Sequence, residues 1–260
     1  MITAGIRQGI LLSFAYRKAI FVRLLGEVAL IISLYFLWTA VYKSSDNQMQ
    51  AAGVASYIVA ARIVSIFTQT PAWGFFFDAV KKGTVILDIT KPISLFKMHL
   101  YRWLGQKLGQ LLLFGPMYVL IYCLFILPNI PAFEWEQIIA GFISMMLAMM
   151  CAFTFELAFS TITFFTNSIQ GLNEAKALLV TLASGSLFPL DILPRGLQIF
   201  LSLLPFKYIV YTPSKVLTSS DWLDYFTQGV YLQSAYIVIL YVVYSFIIRL
   251  ALQRYESAGG

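Results

Sequence analysis

The chain has 260 residues, of which 60% are hydrophobic and only 12% charged, with a mean hydropathy of +0.79. Soluble domains carry about 25% charged residues, so this composition excludes a water-soluble globular domain and predicts one all-α integral membrane domain over 1–260. The formal net charge of +6 fits cations gathered on one side of a bilayer better than a nucleic-acid surface.

The first 23 residues are expected to precede the membrane spans. Ile6, Ile10 and Phe14 recur at spacings of four, and Arg7, Arg17, Lys18 and Arg23 supply charge. Such a segment lies in the interface plane; the plainer alternative is a basic tail that orients the first span. Arg17 and Lys18 stand where a cleavage site would need small residues, so no cleavable signal is expected. Six helical spans follow, at Leu24–Tyr42, Ala51–Thr70, Leu108–Leu127, Ile138–Phe165, Ala175–Leu190 and Val230–Leu250. Helix is the expected state because each span must satisfy its own backbone in lipid.

Charge sets the orientation. Arg7, Arg17, Lys18 and Arg23 precede the first span, and Lys81, Lys82, Lys91, Lys97, Arg102 and Lys107 follow the second. Lys176 is placed after the fourth, and Arg249 and Arg254 at the end. That makes 13 cations on one side, against Lys43, Arg195, Lys207 and Lys215 on the other. The richer side is predicted to be cytoplasmic, with both termini inside.

Two segments outside the spans are not ordinary loops. Residues 73–106 mix Phe75, Phe76, Phe77 and Phe96 with charges. A short helix is expected over Phe75–Val80, stopped by Gly83, with Pro92 starting another. Residues 184–229 form the external segment, and the prolines from Pro189 to Pro213 allow only short helices there. The fifth span, 16 residues or about 24 Å as a helix, falls short of a hydrocarbon core about 30 Å thick. A second apolar run, Leu197–Leu204, follows at once. The pattern predicts a re-entrant hairpin turned at Gly185–Pro194, dipping in from outside and packed against a neighbouring subunit. The alternative is an ordinary helix end and loop. Tyr208, Tyr211, Trp222 and Tyr225 are expected to form an aromatic belt.

Chemistry-bearing motifs are sparse. The chain has no G-x-x-x-x-G-K-[ST], G-x-S-x-G or H-E-x-x-H, so it is expected neither to bind ATP by itself nor to be an enzyme. Cys123 and Cys151 sit in apolar runs without ligand spacing. His99, the sole histidine, cannot build a multi-histidine metal site and reads as an interfacial polar residue beside Lys97 and Arg102. Intramembrane charge is the default place to look for function. Arg62 lies midway along the second span, Glu156 two thirds along the fourth, and Glu27 near the cytoplasmic end of the first. Arg62 and Glu156 either line a path or sit in interhelical ion pairs, with each other among the options.

Two motifs carry a family resemblance. Residues 184–215 read SGSLFPLDILPRGLQIFLSLLPFKYIVYTPSK, and Gly83–Pro92 reads GTVILDITKP. The first resembles the last third of bacterial type-2 ABC export permeases whose ATPase is encoded separately. The second resembles their cytoplasmic segment between spans two and three. Phe164-Phe165 departs from the Phe-Trp common there. The resemblance implies a permease in the bacterial cytoplasmic membrane, working with a second permease chain, identical or related, and two cytoplasmic ATPase subunits. Those subunits would hold ATP and magnesium, leaving this chain without a cofactor. It implies a coupling role for Asp78, Gly83, Leu87, Asp88, Lys91 and Pro92. It implies an outer gate at Gly185, Phe188, Pro189, Leu190 and Pro194, returning at Pro205 and Phe206. The cargo implied is amphipathic or lipid-like, with drugs, peptides, lipids and glycolipids all open, and membrane lipids are expected as partners of the chain. An ion-coupled secondary transporter with broken helices is the alternative, which calls for repeat symmetry and more mid-span carboxylates.

Overall fold

A computed structural model describes residues 2–43, 48–69, 75–125, 135–166 and 170–258, and all regular structure among them is helical. Helix α1 (Ile2–Ala15) leads into α2 (Arg17–Lys43) and α3 (Gln48–Thr68). Two five-residue helices follow, α4 (Phe77–Lys81) and α5 (Val85–Ile89). The long helices α6 (Leu95–Phe125) and α7 (Trp135–Ser160) come next, and α7 ends in a 3-10 turn over Thr161–Phe164. Helix α8 (Gln170–Ala183) is followed by a 3-10 turn at Leu190–Ile192. Three short helices, α9 (Arg195–Ser202), α10 (Phe206–Ile209) and α11 (Tyr211–Thr218), lead to α12 (Trp222–Ala258). Three stretches, Arg17–Val41, Trp135–Phe164 and Trp222–Gln253, are long and apolar enough to cross a bilayer, and Gly53–Thr68 is a shorter apolar helix.

Helix α7 is the axis of the molecule. Near its start, Gln137 donates from Nε2 to Val216 O at 3.0 Å and Ser219 O at 3.1 Å, satisfying carbonyls that the end of α11 leaves open. Beyond its other end, Phe164 meets Phe76 with ring centroids 5.4 Å apart. The end of α11 and the α4–α5 hairpin therefore lie at opposite ends of a helix about 39 Å long, while α10 reaches Phe155 between them. Buried Gln233 of α12 donates to Ser144 O of α7 at 3.1 Å and Tyr208 O of α10 at 2.9 Å, so one amide joins three helices inside the bundle.

Several expectations shift. Helix α6 begins at Leu95 rather than Leu108, because no proline interrupts the chain between Leu95 and Pro116 and its charges lower hydropathy without breaking a helix. The segment 73–106 thus includes the first three turns of α6. Pro92 starts no helix; it sits in the bend between α5 and α6. Helix α8 starts before Lys176, so that residue belongs to a helix and not a loop. Without it the cation split is twelve against four, with the same sign. Tyr208 and Tyr211 are buried and do not form a belt. Pro205 starts α10, the break at Val210 separates it from α11, both short helices pack on α7 and α12, and Tyr208 stacks on Tyr236 at 5.3 Å.

Helix α1 also packs differently. Its contact face is the small-residue stripe Gly5, Gly9 and Ser13, set against Gly105 and Gly109 of α6. A Cβ at Gly9 would lie 2.1 Å from Arg102 O, and one at Gly105 would lie 2.1 Å from Ile6 O. Only glycine permits that backbone approach. Ser13 Oγ donates to Gln106 O at 2.9 Å across the same crossing.

Candidate functional site

The α4–α5 end is an anchored knob. Gly83 takes φ 70°, the left-handed region that glycine enters without steric cost, and its N–H closes α4 on Val80 O at 3.1 Å. The chain can then turn at once into α5. Phe76 and Val85 are buried, with 1% and 0% of their surfaces exposed. They share a cluster with Trp103 of α6 and Phe153 and Leu157 of α7. Ile86 and Leu87 of α5 are 54% and 65% exposed. Asp88 holds Lys91 at 2.6 Å on the surface, bracing the bend that contains Pro92. Asp78 lies on α4. The coupling residues expected from sequence therefore lie on one compact hairpin.

His99 is closed off from its surroundings by the protein itself. It is buried under this hairpin, with its ring 5.3 Å from Phe75 and 4.8 Å from Phe76. Its Nε2 has no hydrogen-bond partner among the described residues. Burial pushes its pKa down to about 4, helped by the Arg102 and Lys91 charges and opposed by Asp88, so the imidazole is neutral at physiological pH.

After α8, Gly185 takes φ 78° and reverses the chain beside the middle of α7, where Leu190 shares a cluster with Cys151 and Ala152. Its carbonyl accepts the Tyr57 hydroxyl at 2.7 Å, and Leu187 O accepts Trp38 Nε1 at 3.0 Å. Pro189 is buried. Leu190 packs in a cluster with Tyr57, Ile58 and Tyr211, and Phe188 lies against it. Asp191 bonds the Tyr211 hydroxyl and pairs with Lys215. Pro194 and Pro205 stand immediately before α9 and α10, and the Phe206 ring meets Phe155 edge-on at 5.1 Å. The turn is thus held by its own chain, through α2, α3 and α11. Open apolar faces remain on α8, where Leu178, Leu179 and Leu182 are exposed, and on α9 and its C-cap, where Leu197, Ile199, Phe200 and Leu203 are exposed.

The two intramembrane charges do not meet. Arg62 of α3 pairs with Glu27 of α2, and Glu156 of α7 pairs with Lys176 of α8, whose amine also lies 4.8 Å from the Phe159 ring centre. Each pair ties a flanking helix to the middle of the bundle. A further cation, Lys107, donates to Ile66 O at 3.3 Å and Gln69 O at 2.6 Å, neutralising the carbonyl end of α3. The sequence carried a signal for the glycine crossing, small residues at spacings of four in Gly5–Gly9–Ser13 and Gly105–Gly109. It carried none for Gln233 or Tyr57, whose partners are backbone carbonyls brought near only by the tertiary fold.

A bundle with several helices long and apolar enough to cross a bilayer, and with ion pairs buried between them, is that of a helical membrane protein. The profile of the family described as ABC-2 family transporter protein matches residues 24–259, and the chain belongs to that family as an ABC-transporter permease. The match begins within α2, so α1 lies ahead of it. Comparison with curated proteins gives no match.

Proposed function

We propose that this permease exports an amphipathic or lipid-like cargo, driven by ATP hydrolysis in separate cytoplasmic ATPase subunits that dock on α4–α5. One observation carries the reading: α5 leaves Ile86 and Leu87 exposed while Phe76 and Val85 root the same hairpin in α6 and α7. On a cytoplasmic placement of this end, an exposed apolar knob has its natural use in a protein contact. Its rigid roots would pass a displacement into packed helices. Asp78, Gly83, Leu87, Asp88, Lys91 and Pro92 are the coupling residues on this reading. The twelve-to-four cation split supports a cytoplasmic position for this end and for both termini.

The α8–α9 turn is the outer gate on the same reading. Its contact with Tyr57, nine residues into α3, supports a turn seated about 14 Å below the start of that helix. A second permease copy or a related chain would cover α9 and the open side of α8. Both intramembrane carboxylates, Glu27 and Glu156, already carry cations, which favours an ATP-driven reading over ion coupling. The test is co-purification of an ATPase with the wild-type chain and its loss in Leu87→Asp.

A further inference from the structure

A cavity of about 280 Å³ lies where α1, α2, α3 and α6 converge. One wall is a polar stripe of α6, formed by Arg102, Gln106 and Gln110 at spacings of four, which puts them on one helix face. The Arg102 guanidinium and the side-chain amides of Gln106 and Gln110 make no hydrogen bond or salt bridge among the described residues. Lys107 adds a second cation to the wall. Glu27 lines the far side, with its charge met by Arg62. Leu12, Ile20 and Leu24 supply an apolar wall. Tyr16, exposed between α1 and α2, stands at the rim, and Arg17 and Lys18 follow it.

We infer that this cavity binds the phosphodiester headgroup of an anionic phospholipid from the leaflet at the α4–α5 end. Charge gives the first reason: Arg102 lines the cavity, Lys107 adds positive charge to the wall although its amine is held by the Ile66 and Gln69 carbonyls, and the one carboxylate is already neutralised by Arg62. Arginine matches a phosphate with paired, charge-assisted hydrogen bonds. Two free amides beside it can both donate to phosphate oxygens and accept from headgroup hydroxyls. Depth gives the second reason. Arg102 lies six residues, about 9 Å along the helix, ahead of the apolar stretch that starts at Leu108, which is headgroup level. Size gives the third. The volume suits a headgroup and not a whole lipid, so acyl chains would run out past Leu12, Ile20 and Leu24 into the bilayer. Basic pockets between membrane helices hold anionic headgroups by this physics. A bound lipid would bridge α1, α2 and α6, and α1 is otherwise held chiefly by its glycine crossing.

The proposal does not depend on ATP-driven export, and its test needs no ATPase. The full chain in detergent is titrated with phosphatidylglycerol, with phosphatidylcholine of the same acyl chains, and with glycerol 3-phosphate, and binding is read by native mass spectrometry. Phosphatidylglycerol is expected to bind most tightly. Arg102→Gln should weaken it about tenfold. The variant should also narrow the preference for phosphatidylglycerol over phosphatidylcholine, whose phosphate charge is offset by its own choline cation. On the wild type, phosphatidylglycerol carrying a photoreactive group near the glycerol should label peptides containing Leu12–Leu24 or Arg102–Gln110, which keeps the test valid if the variant fails to fold. Equal binding of the two lipids, or labelling confined to other helices, overturns the proposal. Glycerol 3-phosphate binding as tightly as the lipid overturns the lipid source.

Discussion

Lys176→Met removes the cation that faces Glu156 across the α7–α8 interface. Both side chains are about nine-tenths buried, at 9% and 11% exposure, so water screens neither. Stranding one charge of such a pair costs about 3–5 kcal/mol, whereas replacing both by apolar groups of similar volume is close to neutral. Glu156→Leu strands the lysine and should cost a similar amount. The double variant should then be more stable than either single variant, and the summed single losses should exceed the double loss by at least about 3 kcal/mol. Reversible unfolding in mixed detergent micelles, followed by tryptophan fluorescence, measures all four corners of the cycle. Strict additivity would refute the pairing of Glu156 with Lys176. Single variants as stable as the wild type would refute the claim that either charge is desolvated.

The His99 imidazole, with its pKa lowered to about 4 against 6.5 unfolded, contributes stability that is fully present above pH 6.5. That contribution is lost as pH falls from 6.5 towards 4, and by linkage is worth up to about 3 kcal/mol. His99→Phe should flatten this part of the pH–stability curve, and an unchanged curve would show that the ring is not held neutral. Gly185→Val places a Cβ 2.7 Å from Tyr57 Oη at a left-handed φ. It should lower stability by about 2 kcal/mol or more in the same unfolding assay, and Tyr57→Phe should cost about 1 kcal/mol. For topology, with Cys123 replaced by Ser, an impermeant thiol reagent should label Ser220→Cys but not Thr84→Cys in intact cells. The reverse pattern would invert the proposed orientation.

The membrane class was legible because every span must be apolar, whatever it packs against. Gly83 and Gly185 were legible as breaks because only glycine ends a helix in the left-handed region cheaply. The limits of α6 were not, since hydropathy marks where lipid begins, and α6 runs on past that point as far as Leu95. The ion-pair partners of Arg62 and Glu156 were hidden for another reason. Both sites offered a plausible opposite charge at suitable depth, and the choice of Glu27 and Lys176 depends on which helices are neighbours. Tyr208 and Tyr211 misled because belt tyrosines and core tyrosines look alike in sequence. What separates them is the return of α10 and α11 into the bundle, which their sequence does not mark. The α1–α6 crossing was readable in its glycine spacing, but the eye is drawn to the hydrophobic residues Ile6, Ile10 and Phe14 beside it.

The central claim is that an ATPase docks on the α4–α5 hairpin. The direct measurement is purification of the full chain from its native membrane in mild detergent, with bound subunits quantified and ATP hydrolysis assayed in the eluate. The wild type is predicted to carry a P-loop ATPase in stoichiometric amount. Leu87→Asp, which changes an exposed side chain and leaves the Phe76 and Val85 anchors in place, is predicted to insert normally and lose both the subunit and the hydrolysis. A wild-type chain that elutes without any nucleotide hydrolase, or a Leu87→Asp chain that retains it in full, would contradict the account.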